Sequence, residues 1–252
     1  MSNILEVCNL AKTYDNGLQA VKGISFDVRR GEVFGILGPN GAGKTTTLEM
    51  IEGLREISSG TVVLDGINTA EEPHVIKKRI GIQLQSSAFF QNLKLTELIE
   101  MFADLYGSDV NPIDLLAEVG LKEKANFLVK NLSGGQKQRF SIATTLVNKP
   151  VMIFLDEPTT GLDPQARRNL WELIIQIKKL GTTVILTTHY MEEAQYLCDR
   201  VAIMDDGKIV AMDSPEQLIK QLIARGFLPN TQVSPATLED VFIDLTGKTL
   251  RD

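Results

Sequence analysis

The chain has 252 residues, of which 43% are hydrophobic and 23% are charged, so disorder over its whole length is excluded. No stretch approaches the roughly 18 to 20 consecutive apolar residues that a membrane-spanning helix needs, which excludes a membrane-spanning protein. With 26 Lys and Arg against 32 Asp and Glu, the net charge is −6; this argues against a broad basic surface, so we expect no nucleic-acid partner.

Short apolar runs alternate with longer helical patterns along the chain. The runs predict strands at residues 4–7, 24–28, 33–37, 61–64, 79–84, 151–155, 183–187, 201–204 and 209–212. The helical spacing predicts helices at residues 44–52, 96–106, 113–119, 135–147, 164–180, 192–197, 215–223 and 235–245. Three runs, at residues 33–37, 151–155 and 183–187, are unbroken, as is typical of parallel strands covered on both faces. The alternation therefore predicts an α/β fold.

The middle of the chain has a different pattern. Residues 86–149 contain several helical patterns and no convincing strand, which predicts a helical subdomain inserted between the two halves of the sheet. We expect the main domain to cover residues 1–220 and a short C-terminal extension to cover residues 221–252.

The two cysteines, Cys8 and Cys198, lie among apolar residues without paired spacing. This predicts two small buried side chains and argues against a disulfide or a zinc site. The first residues, MSNILEV, lack the basic stretch and apolar core of a secretory signal. We therefore expect an intracellular protein.

The first chemical motif follows the apolar run at residues 33–37. Residues 38–45 read GPNGAGKT, match G-x-x-x-x-G-K-[ST] and precede a helical pattern, which is the setting of a phosphate-binding loop. Glycines there let backbone N–H groups approach phosphate oxygens. Lys44 is expected to reach the β and γ phosphates and Thr45 to bind Mg²⁺. A glycine-rich turn with a surface lysine is the alternative. The predicted nucleotide-binding residues here are Gly38, Pro39, Asn40, Gly41, Ala42, Gly43, Lys44, Thr45 and Thr46.

The second motif is the apolar run at residues 151–155, which leads directly into Asp156 and Glu157. An aspartate at the carboxyl end of a buried strand can hold Mg²⁺, and the adjacent glutamate can polarise an attacking water. Strands also end in acids that are merely solvated, so this motif alone leaves its function open.

The third motif, NLSGGQ at residues 131–136, precedes a helical pattern. Ser133 is a natural N-cap, but a cap alone does not explain two successive glycines, which are poor helix residues. With the three motifs in this order, nearly the whole chain resembles the nucleotide-binding subunits of ABC (ATP-binding cassette) transporters. The resemblance implies a P-loop NTPase fold of the ABC ATPase type: a RecA-like mixed sheet, an antiparallel β subdomain and an inserted helical subdomain.

The resemblance also assigns single residues. It implies that Tyr14 stacks on adenine and that His189 contacts the γ-phosphate as the family's switch histidine. Gln85 matches the glutamine that joins the two lobes and reaches Mg²⁺ and the water, with Gln83 as a nearby alternative. Residues 158–163 resemble the loop that crosses the dimer interface, with Thr160 supplying a hydroxyl. The other histidine, His74, lies in a polar segment and is expected to be solvated.

The resemblance further implies ATP and Mg²⁺ as cofactors and a head-to-tail dimer of two copies around two ATP molecules. Its catalytic residues are Glu157, His189 and Gln85, and its Mg²⁺ ligands are Thr45, Gln85 and Asp156. The opposite copy supplies Ser133 and Gly135, and the other predicted nucleotide-binding residues are Gly134, Gln136 and Asp163. Hydrolysis by water that Glu157 activates would let the dimer reopen.

Transport would require separate membrane-spanning subunits, so we expect the chain at the cytoplasmic face of the cell membrane. The resemblance places their docking groove at residues 86–95, with Phe89, Phe90 and Leu93 as contacts or as local core. Residues 188–210 and 236–252 resemble the bacterial exporter branch for drugs, antibiotics and other hydrophobic or surface molecules. There are three alternatives. The spacing of the motifs argues against an ABC-type ATPase acting on nucleic acid, and the presence of Glu157 and His189 argues against a nucleotide-gated module without turnover. The incomplete base-reading motif at residues 148–151 argues against a GTPase.

Overall fold

A computed structural model describes residues 2–84, 89–227 and 238–246, without the side chains of residues 239 and 240. The strands in these ranges are β1 (Asn3–Thr13), β2 (Gln19–Arg29), β3 (Val33–Leu37), β4 (Ser59–Leu64), β5 (Ile67–Asn68), β6 (Ile80–Gln83), β7 (Met152–Asp156), β8 (Thr183–Thr188), β9 (Arg200–Asp205) and β10 (Lys208–Asp213). The α-helices are α1 (Lys44–Ile51), α2 (Pro73–Arg79), α3 (Leu95–Tyr106), α4 (Pro112–Glu118), α5 (Gly134–Leu146), α6 (Pro164–Lys179), α7 (Met191–Leu197), α8 (Pro215–Ala224) and α9 (Leu238–Thr246).

The larger sheet has the strand order β10–β9–β3–β8–β7–β6. Its strands are parallel except for β10, which runs antiparallel to β9. Every residue of β3, β7 and β8 is buried, as the unbroken apolar runs predicted. The sheet is therefore mixed, and the carboxyl ends of β3, β7 and β8 meet at one edge.

The smaller sheet is antiparallel and has the order β2–β1–β4–β5. Its apolar side chains pack with one face of the larger sheet in a shared core, to which Leu5, Phe26, Phe34 and Met152 belong. A second core lies on the other side of the larger sheet, beneath the helices, and includes Leu98, Phe140 and Ile174. The predicted α/β fold with an antiparallel subdomain is confirmed.

The helical subdomain lies between β6 and β7. It contains α3, α4 and α5 with two short 3₁₀ turns, Lys122–Lys124 and Val129–Asn131. In the described part of residues 86–149 no strand forms, and the chain has only an isolated bridge between Lys94 and Leu128. The insertion was therefore predicted correctly, while the predicted domain boundary at residue 220 falls inside α8 and remains a prediction.

Three features differ from the sequence prediction. β5 and α2 were missed, because β5 has two residues and α2 buries only Ile76, so neither has a readable period. The prediction that Cys8 is buried was wrong: it is exposed, on the outward side of β1, between the inward-facing Val7 and Leu10. Cys198 is buried as expected, and burial raises the pKa of its thiol. Within the described ranges, no helix combines the length and apolar character that crossing a bilayer requires.

Candidate active site

The loop at residues 38–43 joins the end of β3 to the start of α1. Gly43, the last loop residue, has φ of 100°, and a side chain there would collide with the backbone oxygen of Ala20. Glycine is therefore required at this position. The first N–H groups of a helix have no partners within it and favour an anion, so the loop and the start of α1 form a suitable phosphate site.

Lys44 is the first residue of α1, and its side chain is buried. Its Nζ donates hydrogen bonds to Gly38 O at 2.9 Å and to Pro39 O at 3.1 Å, and it lies 3.6 Å from Glu157 Oε1. Burial lowers the pKa of Lys44, while the carboxylates of Glu157 and Asp156 oppose that shift. The ammonium group is thus held against its own loop, where phosphate oxygens can replace the two carbonyl acceptors.

Asp156 ends β7 and joins three elements of the site. Thr45 in α1 donates a hydrogen bond from Oγ1 to Asp156 Oδ2 at 3.0 Å. Thr187 in β8 donates a short hydrogen bond to the other carboxylate oxygen. A buried carboxylate beside a hydroxyl provides the hard oxygen ligands that Mg²⁺ prefers, so the donor set fits this ion.

Glu157 has the left-handed φ of 48°, which is uncommon for a non-glycine residue and is found at functional sites. Its N–H donates to both Thr187 O, at 3.2 Å, and Thr187 Oγ1, at 3.0 Å, which fixes the turn. Glu157 Oε2 accepts a hydrogen bond from Thr160 Oγ1 at 3.2 Å and lies 3.4 Å from His189 Nδ1. One buried carboxylate therefore faces Lys44, Thr160 and His189.

His189 follows β8 and is about one quarter exposed. Its buried Nδ1 forms no hydrogen bond within the described residues, although Glu157 lies close to it. Its ring also lies beside the Tyr190 ring, with the centroids 4.2 Å apart. An unpaired imidazole nitrogen beside the Glu157 carboxylate can contact a ligand, and contact of His189 with the γ-phosphate, which the resemblance implies, remains a prediction. The other histidine, His74, is exposed.

Tyr14 lies next to the first turn of α1. Its Oη is 3.4 Å from Thr46 Oγ1, and its ring is 5.3 Å from the Arg55 guanidinium and 5.7 Å from Lys12 Nζ. These distances lie in the range of cation–π contacts. The structure thus places an aromatic ring beside the phosphate loop, and stacking of this ring on adenine remains a prediction.

The predicted partner-facing residues lie at the starts of two helices. Ser133 caps α5: its Oγ accepts from Gln136 N at 3.3 Å, and Gln136 Oε1 accepts from Ser133 N at 2.9 Å. This is a capping box, which explains Gln136 structurally. Asp163 caps α6, since its Oδ1 accepts from Ala166 N at 2.8 Å. Gly134 and Gly135 form the first turn of α5.

The remaining predicted residues are the glutamine that joins the two lobes and the docking residues. Gln85 and residues 86–88 lie outside the described residues. The alternative, Gln83, ends β6, and its buried Oε1 has no hydrogen-bond partner among the described residues. Phe89 packs edge-on against the buried Phe140 with the centroids 5.1 Å apart, and Leu93 also packs on this core. Of the three predicted docking residues, only Phe90 is strongly exposed, at 64%.

Three polar residues near the site were missed. Thr187 has a weak sequence signal, as a hydroxyl near the end of an apolar strand. Glu193 in α7 is fully buried, and its Oε1 accepts a hydrogen bond from Trp171 Nε1 at 3.0 Å.

The third missed residue, Glu52, follows α1 and is also buried. Burial raises the pKa of Glu52 to about 8, and the nearby charges of Asp156 and Glu49 add to this shift. It is thus mostly protonated at neutral pH and adds little negative charge behind the phosphate loop.

Glu52→Gln is expected to stabilise the fold at about pH 9 and to change it little at about pH 5. With a pKa of 4.5 in the unfolded chain and about 8 in the folded chain, Glu52 keeps its proton only in the folded state between these values. Stability therefore falls as the pH rises through this window, by a few kcal/mol at most, at about 1.4 kcal/mol per pKa unit. Glutamine has no proton to lose.

The measurement is urea unfolding of both proteins at the two pH values. Glu56→Gln, at an exposed position nearby, is the control and should leave the pH dependence unchanged. A Glu52→Gln protein with the same loss of stability toward alkaline pH as the wild type would contradict the assignment.

Comparison with known proteins identifies the family of the chain. Residues 21–160 match the family model described as ABC transporter. The linearmycin resistance ATP-binding protein of Bacillus subtilis (strain 168) is 39% identical over 224 residues, which cover 87% of this chain and 72% of that protein. A Nod factor export ATP-binding protein of Ralstonia nicotianae is 41% identical over 221 residues, covering 86% and 68%.

Among solved structures, a dimeric ATP-binding cassette in a post-hydrolysis state, bound to ADP and Pi, is similar with a TM-score of 0.74 and 28% identity. The match covers 83% of this chain and 98% of that one. Together with the family model, these similarities show the ABC ATPase fold and the hydrolysis of ATP. The chain belongs to the ABC transporter family and is one of its ATP-hydrolysing, nucleotide-binding chains.

Proposed function

We propose that two copies of this chain bind two ATP molecules head to tail and hydrolyse them with Glu157 as the general base. The observation that carries the proposal is the position of the Glu157 carboxylate. It lies 3.6 Å from Lys44 Nζ and 3.4 Å from His189 Nδ1, at the edge where the phosphate loop begins. A γ-phosphate bound by Lys44 would therefore lie beside both a base and an imidazole.

Each residue of this cluster has a distinct part in the proposed reaction. Lys44 leaves the carbonyl oxygens of Gly38 and Pro39 and binds phosphate oxygens, which neutralises charge as the transferred group departs. Thr45 and Asp156 would hold Mg²⁺, with Gln85 as a further ligand; when bound, the ion neutralises negative charge on the phosphates. His189 donates a hydrogen bond to the γ-phosphate.

Glu157 takes a proton from the attacking water. The water oxygen forms a bond to the γ-phosphorus, the bond from this phosphorus to the β–γ bridging oxygen breaks, and ADP and phosphate result. Thr160 orients the carboxylate through its hydrogen bond to Oε2. The left-handed turn at Glu157, held by Thr187, keeps the carboxylate at the strand end.

The second copy supplies what one copy lacks. The start of α5, with Ser133, Gly134, Gly135 and Gln136, offers a hydroxyl and the positive end of a helix. In the proposed dimer this helix start faces the γ-phosphate bound by the other copy, so charge is stabilised from both sides. The dimeric, ADP- and Pi-bound state of the similar cassette supports this arrangement.

The names of the relatives support a role in export. They include a resistance protein and an export protein, each described as an ATP-binding protein. We infer that this chain drives export of a substrate through separate membrane-spanning subunits and works at the cytoplasmic face of the membrane. Phe90, which is exposed within the predicted docking segment at residues 86–95, is our candidate contact with them.

Turnover per molecule should depend on protein concentration, because a complete site needs two copies. The test measures ATPase activity with Mg²⁺ over a wide dilution series of the purified full chain. We expect the specific activity to fall on dilution and to recover on concentration, together with the dimer fraction from light scattering. Full specific activity in a strictly monomeric sample would refute the head-to-tail site.

A further inference from the structure

We propose that the packing contact between Gly135 and Ala166 holds two segments together as one unit. These segments are the first turn of α5 and the loop and first turn of α6, and each copy presents them to the nucleotide of the other. We name this unit the presenting block; it comprises residues 133–136 and 158–166. The proposal rests on the head-to-tail dimer and extends it. It assigns to Gly135 a packing role within its own chain, in addition to any contact that Gly135 makes across the dimer interface.

The two glycines of the α5 turn have different surroundings. A Cβ added at Gly135 would lie 2.9 Å from Ala166 Cβ, closer than real Cβ atoms approach each other. A Cβ added at Gly134 would meet nothing within 4 Å. Gly135 is therefore packed against α6, whereas Gly134 borders open space in the single chain.

Backbone conformation does not explain the glycine at position 135. Neither Gly134 nor Gly135 has a positive φ, so an alanine could adopt the backbone of either residue. Alanine is also the better helix former. The close approach to Ala166 is thus the feature of the folded chain that disfavours a side chain at position 135.

Ala166 has little freedom to move away. It lies in the first turn of α6, and its N–H donates to Asp163 Oδ1 at 2.8 Å. The loop that leads into α6 carries Thr160, which is hydrogen-bonded to Glu157. A shift of Ala166 would therefore disturb both the Asp163 cap and the segment that contacts the carboxylate.

The contact also joins two parts of the fold. α5 belongs to the helical subdomain, whereas α6 packs on the larger sheet. Through Gly135 and Ala166, the turn offered to the partner's nucleotide is tied to the loop that contacts this copy's own Glu157. The presenting block thereby couples the position of the α5 turn in one copy to the position of Glu157 in the same copy.

The experiment is a double-mutant cycle on the full chain with Gly135→Ala, Ala166→Gly and the double variant. Gly134→Ala, alone and with Ala166→Gly, is the matched control. ATP turnover with Mg²⁺ and its dependence on protein concentration are measured for each variant. Binding of a fluorescent ATP analogue to the dilute chain and the thermal melting temperature are measured in parallel.

We expect Gly135→Ala to lower turnover about tenfold or more, the equivalent of about 1.4 kcal/mol, with the analogue's affinity for the dilute chain unchanged. Ala166→Gly should restore most of this loss, since it removes the methyl group that the new side chain meets. Turnover lost in Gly134→Ala should not be restored by Ala166→Gly. If Gly135→Ala fails to fold, recovery of folding in the double variant supports the contact.

The proposal is overturned if Gly135→Ala keeps wild-type turnover, if the double variant is as impaired as the single one, or if Ala166→Gly rescues both glycine variants equally. These results are separable from failure of the dimer. If wild-type turnover is independent of protein concentration, the head-to-tail site fails whatever the cycle shows. If turnover is concentration-dependent and the rescue is missing, only the presenting block fails.

Discussion

Glu157→Gln is expected to lower ATP turnover by about 100-fold or more while ATP binding is retained. Glutamine keeps the size and the hydrogen-bonding capacity toward Thr160, but it cannot accept a proton from water. The change also removes a negative charge 3.6 Å from Lys44 Nζ, which favours the bound phosphates. ATP therefore stays in place, and the dimer that it holds together should accumulate.

The measurement combines steady-state turnover with light scattering in the presence of ATP and Mg²⁺. Glu172→Gln, on the exposed face of α6, is the control and should behave as wild type in both assays. Turnover at the wild-type rate in Glu157→Gln would remove the general-base role. A stalled enzyme that remains monomeric with ATP would instead contradict the sandwich dimer.

Lys44→Ala is expected to abolish turnover, with a loss of about 100-fold or more, and to weaken ATP binding. The buried ammonium lies at the start of α1, 3.6 Å from Glu157 Oε1, and in the proposed site it is the cation that faces the phosphates. Removing it leaves the negative charges of Asp156 and Glu157 beside the phosphates without this opposing charge. The folded chain itself should remain stable, because burial already disfavours the charged form of Lys44.

Turnover, ATP affinity and melting temperature are measured together. Lys78→Ala, which removes an exposed lysine from α2, is the matched control for the change in net charge. Unchanged affinity and turnover in Lys44→Ala would contradict the phosphate-loop assignment. A large drop in melting temperature without nucleotide would show that Lys44 is mainly structural.

The sequence predicted the parts of the site that lie at strand ends. Lys44, Asp156 and Glu157 each follow an apolar run, and parallel strands bring their carboxyl ends to one edge, so proximity could be inferred. His189 follows a third run of this kind and was placed by the same reasoning together with the resemblance. These assignments needed only periodicity and motif, both of which are local in the sequence.

Other features depend on contacts between distant segments and could not be predicted. The raised pKa of Glu52 requires its burial near Asp156, which no local pattern of the α1 sequence indicates. The approach of Gly135 to Ala166 depends on how α5 packs on α6. By contrast, the exposure of Cys8 follows from the simple alternation of β1, in which Leu5 and Val7 face inward and Glu6 and Cys8 face outward, so its position could have been predicted from the sequence.

The hydrogen bonds of Lys44 and Thr45 have a consequence for product release. Within the chain, Gly38 O and Pro39 O accept from Lys44, and Asp156 accepts from Thr45. A nucleotide that occupies the site exchanges these bonds for new ones, so its net gain is smaller than the sum of its contacts. In the proposed cycle, dissociation of ADP and phosphate would return Lys44 and Thr45 to these internal partners, and this favours product release.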